Sequence, residues 1–199
     1  MGTPNAELMK MARASLSGKW GLAVGASAVY ILVCATMAIP FVGQIAALFM
    51  VGPLLLGYAT FALSLAREED DARLEQIFNG FKNFGTALGL YYLQAIIVLL
   101  FTLLLIVPGV IRAIAYAMSY YILADQPHLG PMEVLNESKR MMDGYKMKYF
   151  RMMLRFFGLS LLCILTLGIG YLWLFPYMQV TMAKFYDDLK KERGEEEFI

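Results

Sequence analysis

The stretch Gly21–Ala66 reads GLAVGASAVYILVCATMAIPFVGQIAALFMVGPLLLGYATFALSLA and contains no charged residue. As one continuous helix these roughly 46 residues would extend about 69 Å, whereas the hydrocarbon core of a bilayer is about 30 Å thick. The stretch therefore has to cross the membrane twice, with a turn at the small and proline residues around Pro40 to Gly43. It predicts a membrane hairpin, and the same kind of segment returns twice further along the chain.

The composition agrees with a membrane protein. Hydrophobic residues make up 59% of the 199 residues, charged residues only 17%, and the mean hydropathy is +0.58, which leaves too little polar surface for a soluble domain of this size. The net charge of +1 argues against nucleic acid as a partner, because neutralising phosphates needs an excess of basic residues. The first apolar stretch starts near Trp20 without a convincing cleavage site, so we interpret it as a retained helix.

Short anchors recur along the chain at intervals of about 62 to 64 residues and indicate three related units. The anchors are Ser17-Gly18-Lys19, Asn79-Gly80-Phe81-Lys82 and Asp143-Gly144-Tyr145-Lys146, and each opens an apolar hairpin. The second helix of each hairpin carries a tyrosine, followed by a charged residue where the helix leaves the membrane, which we call the charged exit. The pairs are Tyr58 and Arg67, Tyr116 and Asp125, and Tyr177 and Asp187. We therefore predict one integral membrane domain over 1–199, with repeats at about 3–68, 69–127 and 128–190 and a charged tail at 191–199.

A short amphipathic segment precedes each hairpin. The first starts at Thr3-Pro4 and aligns Leu8, Ala12 and Leu16; the second aligns Leu74, Ile77, Phe78 and Phe81; the third starts at Pro131 and aligns Val134, Leu135, Ser138, Met142 and Tyr145. Such helices either lie on the membrane surface or pack on the bundle as connectors. The predicted fold class is thus all-α: a polytopic membrane bundle of six transmembrane helices, arranged as three hairpins that each follow an amphipathic helix.

The positions of Lys and Arg predict the topology, because short positively charged loops stay in the cytoplasm. Four clusters fall on one side of the predicted spans: Lys10, Arg13 and Lys19; Arg67, Arg73 and Lys82; Lys139, Arg140, Lys146, Lys148 and Arg151; and Lys190, Lys191 and Arg193. The opposite turns, around Pro40 to Gly43, Pro108-Gly109 and Gly168 to Gly170, carry no charge. We predict both termini in the cytoplasm.

The third hairpin is short between its flanking cations. Only about 28 residues, some 42 Å of helix, separate Arg155 from Lys184, which is too little for two crossings. Either this hairpin is re-entrant, or Arg155 and Lys184 lie below the membrane surface and extend their charges towards it. In the second case both are candidate contacts for lipid headgroups.

Arg112 lies three positions after Pro108-Gly109, on the side where positive charge is otherwise absent. One reading is an anchor to outer-leaflet phosphate, or a donor to carbonyls freed where the preceding helix ends at Pro108. The other is an anion or lipid-headgroup site with Tyr116, which is one turn away on the same face.

Few polar side chains fall inside the predicted spans. Gln94, Gln179 and Tyr120 are the candidates for intramembrane contacts, with interhelical hydrogen bonds as the default role and a polar cavity as the alternative. Glycines such as Gly21, Gly25, Gly52, Gly57, Gly85, Gly89 and Gly158 are expected to mark close helix contacts.

We find no catalytic or metal-binding constellation in the sequence and predict no catalytic residue, no metal and no cofactor. His128 is the only histidine and lies in a loop, so neither a histidine triad nor a multi-histidine metal centre can form within one chain. Cys34 and Cys163 fall in apolar spans and are interpreted as packing residues. A lipid-modifying enzyme would need Asp125, Glu137 or His128 to converge on one cavity.

Several spaced motifs together resemble a bacterial membrane-protein family, the domain of unknown function 975. The likeness covers nearly the whole chain through Phe78–Phe84 (FNGFKNF), Leu104–Arg112 (LLIVPGVIR), Tyr120–Pro127 (YYILADQP), Ser138–Gly144 (SKRMMDG) and Phe185–Leu189 (FYDDL). The resemblance implies a multi-pass protein of the bacterial cytoplasmic membrane and implies no reaction. More distantly, the chain looks like the membrane domain of some glycerophosphodiester phosphodiesterases, whose catalytic barrel is absent here.

From these patterns we expect a non-enzymatic membrane protein. It would bind or accommodate membrane lipids, or regulate a membrane protein partner, with self-association also open. The alternative is a small transporter or channel in which Arg112, Gln94 and Gln179 line a path between the repeats.

Overall fold

The computed structural model describes residues 3–69, 72–166 and 168–194, and every regular element within them is helical. The predicted tail at 191–199 therefore lies partly outside the described residues. Nine α-helices and one 3₁₀ helix occur in these ranges: α1 (Asn5–Ser15), α2 (Trp20–Thr36), α3 (Val42–Ala66), the 3₁₀ helix (Leu74–Asn83), α4 (Phe84–Leu104), α5 (Ile106–Ala115), α6 (Ser119–Asp125), α7 (Pro131–Met141), α8 (Lys146–Leu165) and α9 (Tyr171–Glu192).

Three helical stretches of the described chain are long and apolar enough to cross a membrane. They are Gly43–Ala66, Leu74–Leu104 and Ile106–Asp125, and a fourth is added when α1 and α2, bent by 98° at their junction, count as one span. An all-helical fold with three or four candidate membrane spans is therefore confirmed for the described residues, whereas six spans and the arrangement as three repeated hairpins stay predictions. The helices α8 and α9 are not among these candidates, and both carry several charged side chains, such as Arg151 on α8 and Asp187 on α9.

The two ends of the helices differ in packing. Around the junction of α4 and α5, large apolar side chains are bare, with Leu103 83% and Ile106 73% exposed. At the other end α3, α6 and α9 pack together, and Phe61, Met118 and Phe185 are fully buried. Exposed leucine and isoleucine side chains are favourable in lipid and cost free energy in water. The exposed surface at the junction of α4 and α5 therefore agrees with a membrane environment.

The amphipathic segments pack their apolar faces on the bundle. In α1 the predicted residues Leu8, Ala12 and Leu16 are all buried, and α1 packs against α9. In α7 Val134 and Leu135 are buried where it meets α4 and α6. The structure thus favours the connector reading for these faces.

The second amphipathic segment differs from the prediction in its helical period. It is a 3₁₀ helix that buries Ile77 and Gly80, while Leu74 and Phe78 of the predicted stripe are exposed. Geometry explains the exposure of Phe78: a 3₁₀ helix has three residues per turn, so Ile77 and Gly80 align on one face and Phe78 turns away from it.

Two glycines let this 3₁₀ helix lie directly on α3. A Cβ atom built on Gly57 would lie 1.7 Å from the carbonyl oxygen of Ile77, and one on Gly80 would lie 1.9 Å from that of Pro53. The prediction that glycines mark close contacts is therefore right at Gly57, and also at Gly52 and Gly89, where a Cβ atom would lie 2.7 Å from the Ala87 carbonyl oxygen and 3.1 Å from Pro131. It is wrong at Gly21, Gly85 and Gly158, where nothing lies within 4 Å.

The second hairpin turns earlier than the sequence indicates. The break between α4 and α5 falls at Leu105, whose backbone is extended, and Pro108 lies inside the first turn of α5. Proline is tolerated there because the amide hydrogens of a first helical turn have no partner within the helix.

Candidate functional site

The three charged exits of the predicted repeats meet at one end of the bundle. The guanidinium of Arg67, just after α3, donates to both carboxylate oxygens of Asp125 at 2.8 Å and to Oδ1 of Asp187 at 2.8 and 3.3 Å. Asp125 is the last residue of α6 and Asp187 lies in α9, so one side chain joins the ends of three helices.

Two further groups of α9 complete this arrangement, which we call the Arg67 cluster (Arg67, Asp125, Tyr186, Asp187 and Lys190). Lys190 Nζ lies 3.0 Å from Asp125 Oδ2, and the Tyr186 hydroxyl donates to the same oxygen at 3.1 Å. Burial disfavours the charge on Arg67, but its hydrogen bonds to Asp125 and Asp187 and the charges of these groups outweigh burial and raise its pKa above the ordinary value. Arg67 is therefore a permanent cation.

A second ion pair ties α8 and the start of the chain to α9. Lys148 Nζ lies 2.8 Å from Asp188 Oδ2, and both side chains are mostly buried. Asp188 also accepts hydrogen bonds from the backbone amide and the hydroxyl of Thr3. This contact fixes the segment before α1 against α9.

A cavity of about 520 Å³, the inner cavity, lies beside the Arg67 cluster. It is lined by Thr3, Leu8, Met11, Ala66, Arg67, Lys184, Asp187, Asp188, Lys190 and Lys191. Four of these side chains are cations and two are carboxylates, so its charged lining is positive in sum. Along α9 the positions 184, 187, 188 and 191 follow the i, i+3, i+4, i+7 spacing, which explains why they share this face.

Lys184 has the weakest ion pair in the inner cavity. Its Nζ lies 4.0 Å from Oε1 of Glu68, a side chain that is 65% exposed, whereas the Lys184 side chain is only 15% exposed. The same Glu68 oxygen already accepts a hydrogen bond from the Ser15 hydroxyl at 2.8 Å. The charge of Lys184 is thus poorly compensated.

Two further cavities, of about 210 and 430 Å³, adjoin each other in the bundle, and the larger one opens to the bundle surface at Leu99; we call them together the tyrosine chamber. Gln179 lines the smaller cavity, Gln94 lines the larger one, and Tyr120 and Leu55 line both. All three residues predicted for intramembrane polar contacts therefore line this chamber. The Tyr121 hydroxyl donates to Gln179 Oε1 at 2.9 Å.

The remaining predicted site residues line neither the inner cavity nor the tyrosine chamber. The guanidinium of Arg112 stacks over the ring of Phe101 at 4.4 Å, while Tyr116 is only 5% exposed. These two side chains thus have different surroundings, despite sharing a helix face. Arg155 is exposed on α8 and does not line the inner cavity.

The groups named for a possible enzyme have separate partners. Asp125 belongs to the Arg67 cluster, Glu137 pairs with Arg140 at 2.8 Å, and His128 is exposed between α6 and α7. Among residues 3–69, 72–166 and 168–194, no three His, Cys, Asp or Glu side chains converge to hold a metal ion.

Sequence reasoning found part of this arrangement. The available signal for the cluster is that Arg67, Asp125 and Asp187 follow the repeat tyrosines at equivalent positions, although these positions predict only where each hairpin ends. The pair formed by Lys148 and Asp188 gave no such signal, because it depends on how α8 crosses α9.

One of three comparisons with known proteins gave a match. A profile described as "Protein of unknown function (DUF975)" matches residues 1–115 and 103–193. No match was found among curated proteins or among solved structures, and nothing supports the distant likeness to the phosphodiesterase membrane domain. Because the two matched segments together cover nearly the whole sequence, the chain belongs to the DUF975 family of proteins of unknown function.

Proposed function

We propose that this chain is a non-enzymatic, multi-pass protein of the bacterial cytoplasmic membrane that binds anionic lipid headgroups in its inner cavity. It has six spans and both termini in the cytoplasm. The headgroup phosphate contacts Lys184, and the acyl chains lie along the apolar surface of the bundle.

The observation that carries this proposal is the charge around the inner cavity. Arg67 and Lys190 are already neutralised by Asp125 and Asp187, but Lys184 has only the 4.0 Å contact with an exposed carboxylate. A partly buried ammonium gains most from an anion that replaces its lost hydration. The volume of about 520 Å³ is in the range of small-molecule sites and has room for a phosphate headgroup.

The position of the cavity along the bundle supports the same ligand. It lies at the end that carries the predicted cytoplasmic clusters of Lys and Arg, and its wall includes Thr3, Lys190 and Lys191. The cytoplasmic leaflet is rich in anionic lipids, which attract basic groups near the membrane surface.

The test is lipid binding by native mass spectrometry of the detergent-purified protein with dioleoylphosphatidic acid. We expect Lys184→Ala to weaken this binding roughly fivefold, because one basic group near a membrane surface contributes about 1 kcal/mol. The matched control is Lys139→Ala, which removes an exposed lysine of α7 that does not line the cavity.

The two variants separate the proposal from general attraction to a positive surface. Equal loss in Lys184→Ala and Lys139→Ala, or no loss in either, would contradict a headgroup site in the inner cavity.

A further inference from the structure

The tyrosine chamber is lined without a single charged side chain, although charged residues surround the inner cavity at the end of the same bundle. Its wall consists of aromatic, aliphatic and methionine side chains with two glutamines, Gln94 and Gln179, and one threonine, Thr102. A charged ligand would find no counter-ion here, where the low dielectric makes an uncompensated charge most costly. The chamber therefore selects against ions.

Gln94 and Tyr120 are among the hydrogen-bonding groups of the chamber wall that lack a hydrogen-bond partner in the described chain. Oε1 of Gln94 is buried and accepts no hydrogen bond, and the hydroxyl of Tyr120 makes none with any described residue. Two other hydroxyls of this wall are paired: Tyr58 with Ser27 at 3.0 Å, and Tyr121 with Gln179 at 2.9 Å. Because an unpaired polar group inside a bundle costs free energy, Gln94 and Tyr120 have unused capacity for a ligand.

The chemistry of these two groups is complementary. The amide oxygen of Gln94 accepts a hydrogen bond, and the Tyr120 hydroxyl can donate one. Both line the larger cavity of about 430 Å³, as does Leu99 of α4, whose side chain is 66% exposed towards the surroundings of the bundle. A ligand with a hydroxyl, a carbonyl and an apolar tail fits this arrangement.

We propose that the tyrosine chamber binds the uncharged head of a neutral lipid that carries a hydroxyl and ester carbonyl groups, of the diacylglycerol type. The hydroxyl donates to Gln94 and an ester carbonyl accepts from Tyr120. The acyl chains leave past Leu99 into the membrane. This site is separate from the inner cavity and does not depend on Lys184.

The experiment compares two lipids with the same acyl chains, 1,2-dioleoylglycerol and dioleoylphosphatidic acid, by native mass spectrometry of the whole chain. We expect Gln94→Leu and Tyr120→Phe each to weaken binding of dioleoylglycerol roughly fivefold, the effect of one lost hydrogen bond. The matched controls are Gln44→Leu and Tyr171→Phe, which change exposed residues outside the chamber and should leave this binding intact.

The two lipids make this inference and the proposed function separable. Loss of dioleoylglycerol in Gln94→Leu and Tyr120→Phe, with dioleoylphosphatidic acid retained, supports the chamber site. The chamber site is overturned if the wild-type protein does not bind dioleoylglycerol, or binds it as well after both substitutions as before. The response of dioleoylphosphatidic acid to Lys184→Ala is judged independently in either case.

Discussion

The Arg67 cluster and the tyrosine chamber show two ways of packing polar groups in one bundle. In the cluster, full charges on Arg67, Asp125, Asp187 and Lys190 neutralise each other at 2.8 to 3.3 Å. In the chamber, only neutral groups occur, and their hydrogen bonds involve hydroxyls and amides such as those of Tyr121 and Gln179. Of these two regions, the one at the end of the bundle carries the charge, where it can approach the membrane surface, and the chamber carries none, because a charge there would be unhydrated.

The two regions therefore differ in what they contribute to the bundle. The ion pairs join the ends of α3, α6 and α9, while the chamber wall leaves hydrogen-bonding groups unused. Stability should therefore respond strongly to the packing of α3 and to the cluster, and only weakly to single hydroxyls of the chamber wall. Three substitutions, measured in detergent micelles, test this ranking of effects on the free energy of unfolding.

The largest effect is expected for Gly57→Ala, next to the chamber residues Leu55, Tyr58 and Ala59. The new methyl group would collide with the backbone oxygen of Ile77 and push the 3₁₀ helix away from α3. We expect the free energy of unfolding to fall by about 3 kcal/mol, the upper range for overpacking. Denaturation with sodium dodecyl sulfate, followed by circular dichroism, measures this change.

The matched control for this substitution is Gly85→Ala in α4, where nothing lies within 4 Å. It should be neutral or slightly stabilising, since alanine favours a helix over glycine. Similar losses in both variants would contradict the close approach of the 3₁₀ helix to α3 at Gly57 as the cause of the effect.

A smaller effect, about 2 kcal/mol, is expected for Arg67→Met. The substitution removes four hydrogen bonds to carboxylates and leaves Asp187 without its ion pair, but a third of the Arg67 side chain is exposed, which moderates the loss. Arg151→Met, at an exposed position of α8, is the control. Unfolding curves that coincide for the two variants would show that the cluster adds no stability.

The smallest effect is expected for Tyr58→Phe, which removes the 3.0 Å hydrogen bond with Ser27 and keeps the ring between its aromatic neighbours Tyr30 and Phe175. Hydrogen bonds between membrane helices average about 0.6 kcal/mol, so we expect a loss of that size. A double-mutant cycle with Ser27→Ala measures the coupling directly. A coupling above the loss predicted for Arg67→Met would reverse the proposed order of the two regions.

Much of the architecture could be predicted because its signals are local. The charge-free run Gly21–Ala66 predicts apolar helices, and the buried stripes of α1 and α7 follow from residues three and four apart. The 3₁₀ period of Leu74–Asn83 could not be predicted, because it depends on the approach to α3 that Gly57 and Gly80 permit. The break at Leu105 escaped prediction because proline fits a first helical turn as well as it ends a helix.

The candidate sites depend more on tertiary structure than the helices do. Gln94, Gln179 and Tyr120 could be selected as polar residues in apolar spans, but the sequence does not show that they line adjoining cavities. Lys184 could be selected as a cation near a membrane boundary. Its weak pairing with Glu68 is visible only once the segment after α3 is placed beside α9.

The Arg67 cluster also bears on biosynthesis, because its members are made at different times. Asp187 follows Arg67 by 120 positions, and Asp125 follows it by 58. At about 5 to 20 residues per second, the ribosome adds Asp187 roughly 6 to 24 s after Arg67. Until Asp187 is added, Arg67 can pair with Asp125 but not with Asp187. The last hairpin supplies Asp187 and Lys190 and so completes the cluster. A chain that stalls before Asp187 therefore keeps a balanced pair of Arg67 and Asp125 but lacks the two Arg67 hydrogen bonds to Asp187, so its α3 and α6 are not yet joined to α9 by this arginine.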